Sequence, residues 1–473
     1  MIILSEIYLL WPELFLGISI TMLLGYGVIY SKKEDGEIGT QNKKITWISI
    51  GVLVLTLMLL IQTTETSAIQ EITIICSLII LALSLEKESK LEVPLLILLS
   101  TLGLLLIVNS RDLIVFYLAF EMIGLSSYIL ATIKRTGELS TEAGIKYFLL
   151  GAVNSGLLLL GSSIIYATTG TLEFTKIAYD IWYTTNTIGV SIGGVLIIIT
   201  LLFKLAAAPF HMWAPDVYEG SPTIVTAFFA TVPKIGLFAI LFKLYLTGFI
   251  GIASDIQTCL LVSGILSIII GSIGGINQSK IKRLLAYSAI GHTGYIILGL
   301  MTGGLDSIHA SMIYIIIYLF MSINIFTIAL QIISGIGESN FISELTGLSR
   351  SNPILAWTLG LTLFSMAGIP PLAGFFSKYF LLMSLVKNQF IMISIIAVVC
   401  SVIGAFYYLR VIKTVYFKES LSFAYKTISS TRIKISLIPS LVIGMTLYFI
   451  LTFMIYPDYI TMFAYTTILS YLG

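Results

Sequence analysis

Five ionisable residues interrupt long apolar stretches of the chain: Glu121, Lys146, Lys204, Lys234 and Lys378. An ionised lysine at the centre of hydrocarbon costs about 2.5–3.5 kcal/mol on the mildest insertion scale, so such a set needs pairing or a task. Desolvation favours the neutral form of either group, and a neighbouring opposite charge favours the ionised form. A proton moved at one site therefore changes the affinity of the next, and a row of such sites can pass protons along. His292, in Ser288-Ala-Ile-Gly-His292-Thr-Gly-Tyr295, reads equally as a relay member or as a satisfied packing residue. Plainer roles exist for the others too. Lys146, near the start of its span, can snorkel, and Glu121 can be a structural counter-ion to a lysine. His211 and His309, at span edges, read as structural.

The segments that carry these lysines are unusual. Lys204 is followed by Leu-Ala-Ala-Ala-Pro209-Phe-His211-Met-Trp-Ala-Pro215-Asp216-Val-Tyr-Glu219. Pro209 removes a backbone donor and clashes with the preceding turn, so the helix breaks or kinks there. The theme returns in Ala367-Gly-Ile-Pro370-Pro371-Leu-Ala-Gly-Phe-Phe-Ser-Lys378, roughly 160–170 residues later. Broken backbone at membrane depth is tolerated only where protein buries it or water lines it. Two such breaks, each with a lysine, suggest an internal inverted repeat of the kind transporters use.

Composition supplies the setting. Of 473 residues, 57% are hydrophobic and 11% charged. Apolar runs of about 18–25 residues, the length that crosses a hydrocarbon core, recur from end to end. The expected fold class is an all-α polytopic membrane protein of about fourteen spans. They lie near 7–30, 45–62, 70–85, 93–109, 111–133, 143–169, 187–210, 222–247, 256–276, 282–302, 306–334, 354–386, 389–416 and 435–456. Spans seven and twelve contain the breaks. The expected divisions are 1–92 (three spans), 93–250 (first five-span repeat), 251–417 (second repeat) and 418–473 (loop, last span and tail). Loops after odd-numbered spans, from Lys32 to Lys434, hold eighteen lysines and arginines, among them Lys33, Lys87, Lys280, Arg283, Lys426 and Arg432. The other side holds four: Arg111, Lys176, Lys243 and Lys387. Basic loops stay inside, so both termini are expected outside.

Several functions find no support. Cys76, Cys259 and Cys400 stand singly in apolar runs and read as buried small hydrophobes. Metal and iron–sulfur sites need clustered ligands. Gly271 and Gly275 read as a helix-packing pair, and the sequon at Asn277 falls on the inner side. The start Met-Ile-Ile-Leu-Ser-Glu lacks a basic leader, which suggests insertion where the chain is made, in a bacterium or an organelle.

The run Lys204 to Pro222, together with Ser140-Thr-Glu-Ala-Gly-Ile-Lys146, Lys282-Arg-Leu-Leu-Ala-Tyr-Ser288 and the Ala367–Lys378 segment, resembles the subunit 2 family of respiratory complex I, NADH:ubiquinone oxidoreductase, in its mitochondrial form. These motifs span about residues 90–420. The resemblance implies a proton-translocating, antiporter-like membrane-arm subunit with fourteen helices, the seventh and twelfth broken. Glu121 looks like the family's helix-five glutamate, although Phe120-Glu121-Met122 departs from the usual Glu-Leu pairing. Lys204 looks like its helix-seven partner, Lys234 the connecting helix-eight lysine, Lys378 the outlet lysine of helix twelve, and Lys146 a helix-six lysine. No cofactor is implied in this chain: NADH, FMN, iron–sulfur clusters and ubiquinone belong to partner subunits. Neighbouring membrane-arm subunits and lipids are the implied partners, and the mitochondrial inner membrane the implied location, with a bacterial plasma membrane as the alternative. The competing function is a cation/proton secondary antiporter.

Overall fold

The computed structural model of the chain describes residues 10–30, 38–63, 68–86, 90–183, 187–336, 341–418 and 435–472. The opening residues and Lys32, Lys33, Lys87, Lys426, Arg432 and Lys434 lie outside them. The described residues form helices α1 (Trp11–Tyr30), α2 (Ile38–Thr63), α3 (Ala68–Ser84), α4 (Glu92–Asn109), α5 (Leu113–Ala131) and α6 (Glu138–Thr169). There follow α7 (Phe174–Tyr183), α8 (Thr187–Lys204), α9 (Trp213–Gly220), α10 (Thr223–Lys243), α11 (Ala253–Ile276), α12 (Ile281–Met301) and α13 (Leu305–Ile336). The chain ends with α14 (Leu348–Ser351), α15 (Pro353–Ala367), α16 (Ala373–Lys387), α17 (Ile391–Phe417), α18 (Leu437–Thr452) and α19 (Asp458–Leu472).

Among the described residues ten helices are long and apolar enough to cross a membrane, and α3, α8, α15 and α18 are shorter apolar helices beside them. A helix satisfies its own backbone, which is why apolar chains cross lipid in this form. Two of the short helices are short because the breaks stop them: α8 ends at Lys204 and α15 at Ala367. Two expected connections contain helices instead. In 170–186, Phe174, Ile177 and Ile181 are buried at a helical spacing and make one face of α7. In the tail, Ala464 and Ile468 do the same for α19. Both are too short to register in a search for spans.

The chain divides into two compact units. The first comprises Met1–Thr200, Gly220–Ile252 and Ser470–Gly473, the second Leu201–Glu219 and Ala253–Leu469. In the first unit α4 packs on α5, α3 on α10 and α1 on α4. Asp112 caps α5, its carboxylate accepting from Val115 N at 3.1 Å. In the second unit α11 packs closely on α12 and on α17, and α13 on α16 and α18. A Cβ on Gly275 would strike the Tyr407 ring on α17, and on the α12 side a Cβ on Gly271 would stand 2.5 Å from the Gly291 nitrogen. Without side chains there, the two backbones can approach.

Candidate proton-relay site

The first break follows Lys204, the last residue of α8. Ala206 adopts a φ of 58°, the Ala208–Pro209 peptide is cis, and the chain resumes as α9 at Trp213. Side chains take up polar groups the break sets free. Ala208 N–H donates to Ser267 Oγ on α11 at 2.8 Å, and the Trp213 indole N–H donates to Phe203 O at 2.8 Å. Beyond it, Glu219 accepts from Lys280 and, at 3.2 Å, from Arg283, while Asp216 lies 3.5 Å from Arg283. This ion cluster ties the exit of the break to the start of α12.

The second break is built the same way. α15 stops at Ala367, Gly368 takes a φ of 89°, and Pro370–Pro371 is cis. Gly374 N–H, at the start of α16, donates to Ser365 Oγ at 3.1 Å. Lys378 turns back from α16 and donates to the terminal carbonyls of α15, Met366 O at 3.1 Å and Ala367 O at 2.8 Å. A cation is favoured at a helix C-terminus, where carbonyls are unsatisfied and the dipole is negative. Gly368 leaves room for it: a Cβ there would lie 3.1 Å from Lys378 Nζ.

His292 on α12 is 4% exposed and held from two sides. Its Nδ1 is 2.9 Å from the Tyr314 hydroxyl on α13, and its Nε2 is 3.2 Å from the Tyr408 hydroxyl on α17. Tyr408 also shares a hydrogen bond with Ser288, one turn before His292. The Tyr295 ring stacks on Tyr314 and lies 5.7 Å from Lys378 Nζ, within cation–π range. His292, Tyr408, Ser288, Tyr295 and Lys378 line one cavity with polar walls and room for water. A neutral imidazole accepts a proton at one nitrogen and releases one from the other, and each hydroxyl is both donor and acceptor. The run Tyr314–His292–Tyr408–Ser288 can therefore shift a proton by exchanging covalent and hydrogen bonds, and Lys378 opens onto the same space.

The remaining candidates are placed as follows. Lys204 and Lys234 are buried, at 6% and 4% exposure, on α8 and α10. Glu121 is half-buried on α5. Lys146 pairs with Glu142 on its own helix at 2.7 Å, and both side chains are largely exposed. His309 accepts no relay role: its Nε2 bonds Thr461 O at 2.8 Å and ties α13 to α19. Among the described residues no group of three or more His, Cys, Asp or Glu side chains could hold a metal ion. Tyr314 and Tyr408 were absent from the sequence candidates. A tyrosine in an apolar span is usually packing, and only the bonds to His292 distinguish these two.

Residues 110–404 match the family described as NADH:quinone oxidoreductase/Mrp antiporter, TM. The chain is 37% identical over 465 residues to NADH-quinone oxidoreductase subunit N 1 of Rhizobium meliloti (strain 1021), covering 94% of this chain and 95% of the relative. It is 38% identical to NADH-ubiquinone oxidoreductase chain 2 of Marchantia polymorpha over 477 residues, 95% of each. Among solved structures, a chain of respiratory complex I from Thermus thermophilus with bound aureothin superimposes with a TM-score of 0.74 at 27% identity, covering 92% of this chain and 97% of that one. By its membrane helices, its two lysine-bearing breaks and these matches along nearly its whole length, the chain belongs to the NADH:quinone oxidoreductase/Mrp antiporter transmembrane family, as a homologue of subunit N and chain 2.

Proposed function

We propose that the chain is the antiporter-like, proton-translocating membrane-arm subunit of an NADH:quinone oxidoreductase. It has no redox role of its own in this reading: NADH, FMN, iron–sulfur clusters and quinone are handled by partner subunits. The observation that carries the reading is the second lysine-bearing break, whose Lys378 lines one cavity with a buried chain of proton-exchanging hydroxyls around His292. Fourteen spans in two inverted five-span repeats, 93–250 and 251–417, frame the route. Glu121, Lys204 and Lys234 are its proton carriers in this reading, and Lys378 stands at the outlet. Lys146 acts with Glu142 on the exposed face of α6. Both termini face the periplasm or intermembrane space, and the membrane is the mitochondrial inner membrane or a bacterial plasma membrane.

Native electrophoresis of the source membrane with an NADH-dehydrogenase activity stain tests this. Co-migration of the chain with the stained band is expected. The alternative, a free cation/proton antiporter, is favoured by the Mrp antiporters in the same family. It predicts a chain absent from that band which confers sodium resistance when expressed alone.

A further inference from the structure

A second buried acid–base cluster, used by none of the roles above, lies in the first unit. Glu13, in the first turn of α1, is 4% exposed. Its Oε1 accepts from the amide of Asn109, the last residue of α4, and from the amide of Gln70 on α3 at 3.4 Å. Gln70 is itself fixed by donating to Leu105 O at 3.3 Å. Among the described residues the second carboxyl oxygen, Oε2, is buried with no hydrogen-bond partner, and so is Gln70 Oε1. Among the described residues Glu13 enters no ion pair. Lys243, at the end of α10, instead donates to Val108 O and Ser110 O, on either side of Asn109.

Two buried acceptor oxygens on neighbouring helices, neither with a donor, call for hydrogens that the side chains do not supply. A carboxylate buried without a cation is disfavoured relative to the acid. A carboxylic acid carries one O–H donor and keeps one carbonyl-like acceptor. Here the acceptor is already identified: two amide N–H groups converge on Oε1. That leaves Oε2 to bear the proton. We propose that Glu13 is a proton-binding site of the chain, loaded on Oε2 and emptied through water, where α1 and α3 begin and α4 and α10 end. On release the O–H bond breaks, the proton passes to the water, and the carboxylate keeps its two amide bonds on Oε1. The other charged groups at these helix ends are Glu71 on α3, Arg111 and Asp112 after α4, and Lys243 on α10. The site stands independently of the lysine route.

Infrared difference spectroscopy on the assembled complex, wild type against Glu13→Gln, tests the proposal across a pH series. The expected result is a protonated-carboxyl C=O band at neutral pH, shifted in D2O and missing in the variant, which gives way to carboxylate bands as pH rises. Asn109→Leu removes a bond that stabilises the ionised form, so it should move that conversion to higher pH. A Glu13 that shows only carboxylate bands through the neutral range would overturn the proposal, as would a conversion unmoved by Asn109→Leu. Should Glu13→Gln fail to assemble, the Asn109→Leu titration against wild type reads the same band.

Discussion

Tyr408→Phe removes one oxygen from the His292 cluster and leaves the ring in place. That ring is 3% exposed and sits 4.4 Å from the Tyr407 ring, so packing is kept. What disappears is the hydroxyl between His292 Nε2, at 3.2 Å, and Ser288. Leaving a buried polar group without its partner costs about 1–3 kcal/mol. If that cost falls on the proton-transfer barrier, turnover slows by roughly 5- to 150-fold, since about 1.4 kcal/mol is tenfold. The low end applies if water in the adjoining cavity stands in for the hydroxyl. The control is Tyr295→Phe, which lines the same cavity and whose hydroxyl donates to Ala397 O at 2.8 Å. The assay is NADH-to-quinone turnover and dye-quench proton uptake in membranes whose complex is shown intact by native gel. Normal pumping in Tyr408→Phe, or equal losses in the two variants, would refute the relay through His292.

Lys204→Ala should stop quinone reduction and pumping together, while NADH oxidation by an artificial acceptor survives. Lys204→Arg should restore little, because a guanidinium does not release its proton near neutral pH; full pumping by assembled Lys204→Ala enzyme would contradict this. Gly368→Ala forces a side chain into left-handed backbone at about 1–2 kcal/mol and presses on Lys378 Nζ, so both thermal stability and pumping should drop. Unchanged values in both would show that the second break tolerates a Cβ. Lys280→Cys, labelled by an impermeant thiol reagent, should react from the matrix or cytoplasmic face alone, and labelling from the outer face would invert the topology.

Ten of the expected spans are long apolar helices among the described residues, and they were legible because apolar runs of membrane length need no periodicity to be recognised. So were the breaks: proline close to a lysine in an apolar run announces itself in Pro209 after Lys204 and again in Pro370 and Pro371 before Lys378. What the sequence does not carry is which polar atoms meet. Nothing in the apolar run around Tyr314 marks it out from Tyr318, yet its hydroxyl lies 2.9 Å from His292 Nδ1. Lys146 was legible as a charge in a span, and its spacing of four from Glu142 already places the two on one helix face, where they pair. The short helices α7 and α19 escaped because they have too few residues to stand out among long spans.

The segment Leu201–Glu219 belongs to the second compact unit, although Gly220–Ile252 returns to the first. A ribosome therefore delivers part of the later unit before the earlier one is finished. The Ala208 N–H at the break finds its acceptor on Ser267, 59 residues downstream. At about 5–20 residues per second the wait is roughly 3–12 s. Throughout that interval the Ala208 backbone donor waits for the side chain that accepts from it in the finished structure. A chain cut after Ile252 would keep the Ala208 N–H without the Ser267 acceptor that closes the break.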